Sequence, residues 1–151
     1  MHTVRKNNQF TWEANILVYA EDQERLWEYR NILNEIEPKS PCKFEITLTG
    51  RLETAYLVSE FLPGGVDLYL SDGNQKNHEE MLIGKRIQKR HPECRCLYRK
   101  PFGYDYTYVT EDEPRKIRHI RVLKKELEIV IFGILSDLLK SADKGQEESE
   151  Q

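Results

Sequence analysis

Short apolar runs that stop at carboxylates, alternating with amphipathic stretches, are the feature of this chain that most restricts its fold. Residues 15–20 (NILVYA) form an aliphatic and β-branched run that ends abruptly at Glu21 and Asp22, the pattern of a parallel strand buried on both faces. Residues 24–37 carry Leu26, Tyr29, Ile32, Leu33 and Ile36 at helical spacing and stop before Pro38. Residues 43–49 (KFEITLT) alternate as a strand near a sheet edge does, and 51–62 read as a second helix closed by Pro63-Gly64-Gly65. Residues 66–70 (VDLYL) then make a third strand that runs into Ser71 and Asp72. A helix over 81–90, a strand over 94–99 and a strand over 106–110 complete the series. Parallel neighbours need crossover connections, so this order predicts an α/β fold, a doubly wound parallel five-stranded sheet with helices on both faces. The link between strands four and five is too short for a helix, which leaves helix four shortened or absent.

In such sheets the ligand crevice lies beyond the carboxyl ends of the strands. Glu21, Asp22 and Asp72 are expected to converge there. Clustered carboxylates repel one another, and a hard divalent cation such as Mg²⁺ relieves the repulsion by accepting their oxygens. An aspartate beside Mg²⁺ can also attack phosphorus, because the metal neutralises the incoming phosphoryl oxygens. That chemistry makes Asp72 a candidate phosphoacceptor.

The run ILVYAED (residues 16–22), the following helix with its Leu26/Tyr29/Leu33 face, and DLYLSD (residues 67–72) together resemble the receiver domain of two-component response regulators. The likeness spans about residues 15–98 and implies a flavodoxin-like fold. It implies that Glu21 and Asp22 bind Mg²⁺ with Asp72, that Asp72 takes the phosphoryl group, and that Asn74 offers its backbone carbonyl to the metal. It also implies a sensor histidine kinase, or another signalling protein, as partner. Some family features are missing. Arg99 or Lys100 stands where a hydroxyl residue ends strand four, and Lys100-Pro101-Phe102 imitates the family's lysine-proline signature one strand too early. From that end Lys100 is placed to reach a phosphoryl oxygen through one charge-assisted contact.

At 151 residues the chain has room for one core. The expected organisation is an α/β domain over 1–113, an extended helix over 114–142 that completes it, and a disordered acidic tail over 143–151. Pro114 opens that helix, and Ile117, Ile120, Leu123, Leu127, Ile131, Ile134 and Leu138 recur every three or four residues. The opposite side is basic at first, with Arg115, Arg118, Arg121 and Lys125, then apolar at Ile129, Phe132 and Leu135. A helix apolar around most of its circumference needs cover on both sides, so a homodimer through Ile129, Phe132 and Leu135 is expected.

The 23 basic and 26 acidic residues leave a net charge of -3, which directs the chain as a whole to neither nucleic acid nor membrane. No stretch is apolar for long enough to span a bilayer, and three cysteines fit reduced thiols in a cytoplasmic location. His91, Cys94 and Cys96 lack a fourth zinc ligand at motif spacing, and the tyrosines at 98, 104, 106 and 108 alternate as strand residues do. The leading expectation is a signalling protein of receiver type rather than an enzyme, acting by protein contact and homodimerisation, with phosphorylation of Asp72. The alternative is a degenerate receiver that works as a scaffold or dimerisation module without phosphorylation. Neither a glycine-rich phosphate loop nor a nucleophile-base pair supports a small flavodoxin-like enzyme.

Overall fold

All side chains of residues 14–20 lie in the interior, and the sheet is built outward from this strand. A computed structural model describes residues 1–6, 8–73, 77–101, 103–113 and 116–150. Among them, seven strands join in one sheet. The central strand β2 (Gln9–Ala20) is flanked by β3 (Lys43–Thr49) and β4 (Leu68–Asp72), both parallel to it, and β5 (Arg95–Arg99) continues parallel to β4. β1 (His2–Lys6) pairs antiparallel with the first half of β2. β6 (Tyr106–Glu113) and β7 (Lys116–Val122) are both antiparallel to their neighbours.

Among the described residues four helices cover the sheet: α1 (Gln23–Ile36), α2 (Leu52–Phe61), α3 (Asn77–Arg90) and α4 (Leu127–Glu150). Because strand side chains alternate between faces, β2 sends Ile16, Val18 and Ala20 one way and Leu17 and Tyr19 the other. The first set packs with Tyr29 and Leu33 of α1 and with Leu127, Ile131, Ile134, Leu135 and Leu138 of α4. The second packs with Leu52 and Ala55 of α2, Ile83 and Ile87 of α3, and Cys94, Cys96 and Tyr98 of β5. Each fully buried aliphatic side chain contributes about 1.5–3 kcal/mol, so both layers are needed to hold the strands in place.

The fold is therefore α/β with a long last helix, but the sheet is mixed and seven-stranded rather than five-stranded and parallel. Three segments depart from expectation. The first strand, expected over 15–20, begins at Gln9 and is preceded by β1, with which it forms an amino-terminal hairpin. The chain turns there at Asn8, with φ of 64°, a conformation that asparagine tolerates. Residues 116–122 form β7 instead of the first turns of a helix, so Ile117, Arg118, Ile120 and Arg121 lie on an edge strand. Pro114 and Arg115, on which the helix expectation leaned, lie outside the described residues. The last residues are helical to Glu150 rather than a disordered tail. The strand over 106–110 was anticipated but its direction was not. The connection from Arg99 to Tyr106 permits only a reversal, closed by Lys100 N donating to Asp105 O at 2.9 Å.

Candidate functional site

Asp72 ends β4 in register with Ala20 of β2, so the sheet does bring it beside Glu21 and Asp22. The three carboxylates then point apart. Alternation along β4 sends Asp72 to the α1 face, where it is buried. Tyr19 lies on the other face and donates its hydroxyl to Glu21 Oε1 at 3.3 Å. Asp22 faces the chain itself, accepting the amide of Glu24 at 3.0 Å as the cap of α1. Asn74 lies outside the described residues.

The partners of Asp72 come from three elements. Arg99, two residues after the inward-facing Leu97 of β5 and therefore on the same face, places Nε 2.5 Å from Asp72 Oδ1. The pair is close but not in hydrogen-bond geometry. Arg25 and Tyr29, one turn apart on α1, both address Asp72 Oδ2. Arg25 Nη1 lies 3.5 Å away and the Tyr29 hydroxyl donates to the same oxygen. Tyr106, the first residue of β6, pairs its hydroxyl with that of Tyr29 at 2.9 Å, which makes a chain of two phenols ending on the carboxylate. Burial, reinforced by Tyr106 and the charge of Asp72, holds the Tyr29 phenol well above its usual range, so it remains a donor. Arg25 is pushed up as well: desolvation opposes its charge, but the combined attraction of Asp72, Tyr29, Glu28 and Tyr106 outweighs it.

Lys100 sits at the turn after β5, and the charge of Asp72 is met by Arg99 and Arg25 instead. A cleft of about 500 Å³ opens over Tyr29 and Tyr106, bounded by Ile32, Leu127, Lys124 and Glu128. The two phenols separate it from Asp72.

A second buried acid lies across the sheet. Glu80, in the first turn of α3, is fully enclosed, with Ser71 and the Gly73 backbone against its carboxylate. A Cβ on residue 73 would fall 1.6 Å from Glu80 Oε1, so any side chain there would displace the buried carboxylate. Burial first, then the charges of Asp72 and Glu21, push the Glu80 carboxyl from 4.5 up to about 7.

This donor set does not fit Mg²⁺. A hard cation needs several carboxylate oxygens converging on one point. Here Asp72 is covered by guanidinium and phenol groups, Asp22 caps a helix, and Glu21 turns to the opposite face. Among the described residues no three histidine, cysteine, aspartate or glutamate side chains come together to hold a metal. Other expectations also change place. Leu135 is buried against the sheet, so it is a core residue and not part of an outward apolar face with Ile129 and Phe132. The supposed basic helix face is dispersed, with Arg118 and Arg121 on β7, where Arg121 pairs with Asp105 at 2.6 Å, and Lys125 in the turn before α4. Cys42, Cys94 and Cys96 are buried thiols. Among the described residues no helix is long and apolar enough to cross a membrane.

The sequence marks Arg99 only as a substitute for a hydroxyl and Tyr106 only as an alternating strand residue, and gives no sign of Arg25 or Glu80 as site residues. The spacing of Leu97 and Arg99 was the available signal, because it puts the guanidinium on the face of Asp72. No family model matches the chain, and neither does any curated protein or solved structure.

Proposed function

We propose that the chain is a receiver-like interaction module whose acidic site is closed by its own cations, acting by protein contact without phosphoryl transfer. The order β3-β2-β4-β5 of its parallel strands, with a carboxylate at the end of β4, supports the flavodoxin-like part of this reading. The observation that carries the rest is the approach of Arg99 to Asp72 at 2.5 Å. A carboxylate acts as a nucleophile towards phosphorus through a free oxygen lone pair, with a metal to neutralise the phosphoryl oxygens. Arg99 and Arg25 supply positive charge in the metal's stead, and Tyr29 engages the second oxygen. In this reading Asp72 is a structural anion that locks α1 and β5 to the end of β4.

The competing reading, in which Asp72 accepts a phosphoryl group from a histidine kinase with Mg²⁺, requires both arginines and the phenol to move aside. Incubating the whole chain with acetyl phosphate and Mg²⁺ separates the two. The expected result is an unchanged intact mass and no heat of Mg²⁺ binding by calorimetry. An adduct of one phosphoryl group, located on Asp72 by fragmentation, overturns the proposal.

A further inference from the structure

Among the described side chains in the first turn of α3, only that of Glu80 is buried. His78 and Glu79 beside it are exposed, whereas Glu80 is fully enclosed and fills the space that a side chain on residue 73 would need. Ser71 and the Gly73 backbone lie against its carboxyl group, but neither oxygen reaches hydrogen-bond geometry with any group. The rest of α3 is held separately, by Ile83 and Ile87 in the core and by Gly84 against the Tyr98 hydroxyl. Seating of the first turn on the end of β4 therefore depends on one side chain.

We propose that Glu80 is a proton-operated latch: neutral, it seats the first turn of α3 on the end of β4, and ionised, it turns out to water and lets that turn come away. The elements packed around it offer acids and neutral donors. β4 presents Tyr69, Ser71 and Asp72, β2 presents Tyr19 and Glu21, and β5 presents Tyr98. Arg25 and Arg99 answer Asp72 on the opposite face of the sheet. Arg51, before α2, is exposed, as are Lys85 and Arg86 further along α3. A charge on Glu80 would thus be enclosed without a paired cation, beside two like charges, and burial of that kind is avoided by moving the group to water. The amino end of α3 favours an ionised Glu80 wherever its side chain turns, so it does not hold the charge inside. In its seat the carboxyl keeps its proton up to about 7 instead of 4.5. Glu79, next to Glu80, lines a cleft of about 550 Å³ together with Tyr19, Glu21, Arg51 and Glu53. The turn that Glu80 seats is therefore also a wall of that cleft, and releasing it reshapes the cleft as pH rises.

Amide exchange followed by NMR as a function of pH tests it. In an α-helix the amides of residues 81 and 82 bond to the carbonyls of residues 77 and 78, so their protection, corrected for the intrinsic exchange rate, reports on the first turn. That protection is expected to fall about tenfold or more as pH rises from 4.5 to about 7 and to level off above. The amides of residues 87–90 are expected to stay better protected at every pH, which separates opening of the turn from unfolding of the molecule. Glu80→Gln, which keeps the shape of the neutral side chain, is expected to abolish the fall. Constant protection at 81 and 82 in the wild type, protection there equal to that at 87–90 throughout, or the same fall in Glu80→Gln overturns the latch. A measurement on the wild type alone stands beside the variant: the Glu80 carboxyl carbon is expected to titrate well above the exposed glutamates, and titration together with them overturns the proposal.

Discussion

A buried carboxylate at the end of a strand can be neutralised by a bound metal or by cations the chain carries itself, and at Asp72 the chain supplies Arg99 and Arg25. Removing one partner strands the other charge in the interior, which costs more than the pair is worth. Arg99→Met alone is therefore expected to lower the unfolding free energy by about 3 kcal/mol. The double variant Asp72→Leu with Arg99→Met should return to within about 1 kcal/mol of wild type. Urea denaturation of the three proteins checks both. At Glu80 the sign is set by a carboxyl that holds its proton more tightly folded than unfolded. Between 4.5 and about 7 the native state binds more protons than the unfolded chain, so stability falls as pH rises through this window and levels off above it. Glu80→Gln should remove that component, visible as the difference between the two proteins in melting temperature against pH. Neither residue was legible as a partner in the sequence. Glu80 sits among polar residues with nothing to distinguish it from a solvated helix start, and the shielding of Asp72 depends on contacts between residues 27 to 47 positions apart.

Elements differ in how openly they declare themselves. The buried run of β2, the alternation of β3 and the spacing of α1 and α2 were all readable, because each faces apolar neighbours along its length. Edge strands lose this signal on the side that meets water. In β7 the apolar positions Ile117 and Ile120 are three apart and exposed, with Arg118, His119 and Arg121 among them, and a spacing of three imitates a helix. Only the pairing of β7 with β6 makes it a strand. The contact of α3 with β5 is tighter than sequence alone suggests. A Cβ at Gly84 would fall 1.8 Å from the Tyr98 hydroxyl and 3.3 Å from Cys96 Sγ. Gly84→Ala should therefore destabilise the protein by about 1–3 kcal/mol through overpacking, although alanine favours a helix interior by about 1 kcal/mol. Thermal unfolding distinguishes the two signs.

Across the whole molecule, two layers of helices enclose a sheet whose parallel part follows the alternating order of the sequence. Besides the amino-terminal hairpin, the mixed character enters after Arg99, where six residues separate β5 from β6. A crossover cannot be made in that length, so the strand direction was implicit in the spacing even though an all-parallel sheet was expected. The reversal has a further effect. It puts the start of β6 at the acidic rim, where a fifth parallel strand would have put its end. The residue in that place is Tyr106, whose hydroxyl continues the line from Asp72 through Tyr29 and whose ring belongs to the cluster that seats Leu127 at the root of α4. One aromatic side chain thus serves as a shared bearing, so a disturbance at the anion and a tilt of the outer helix are registered by the same ring.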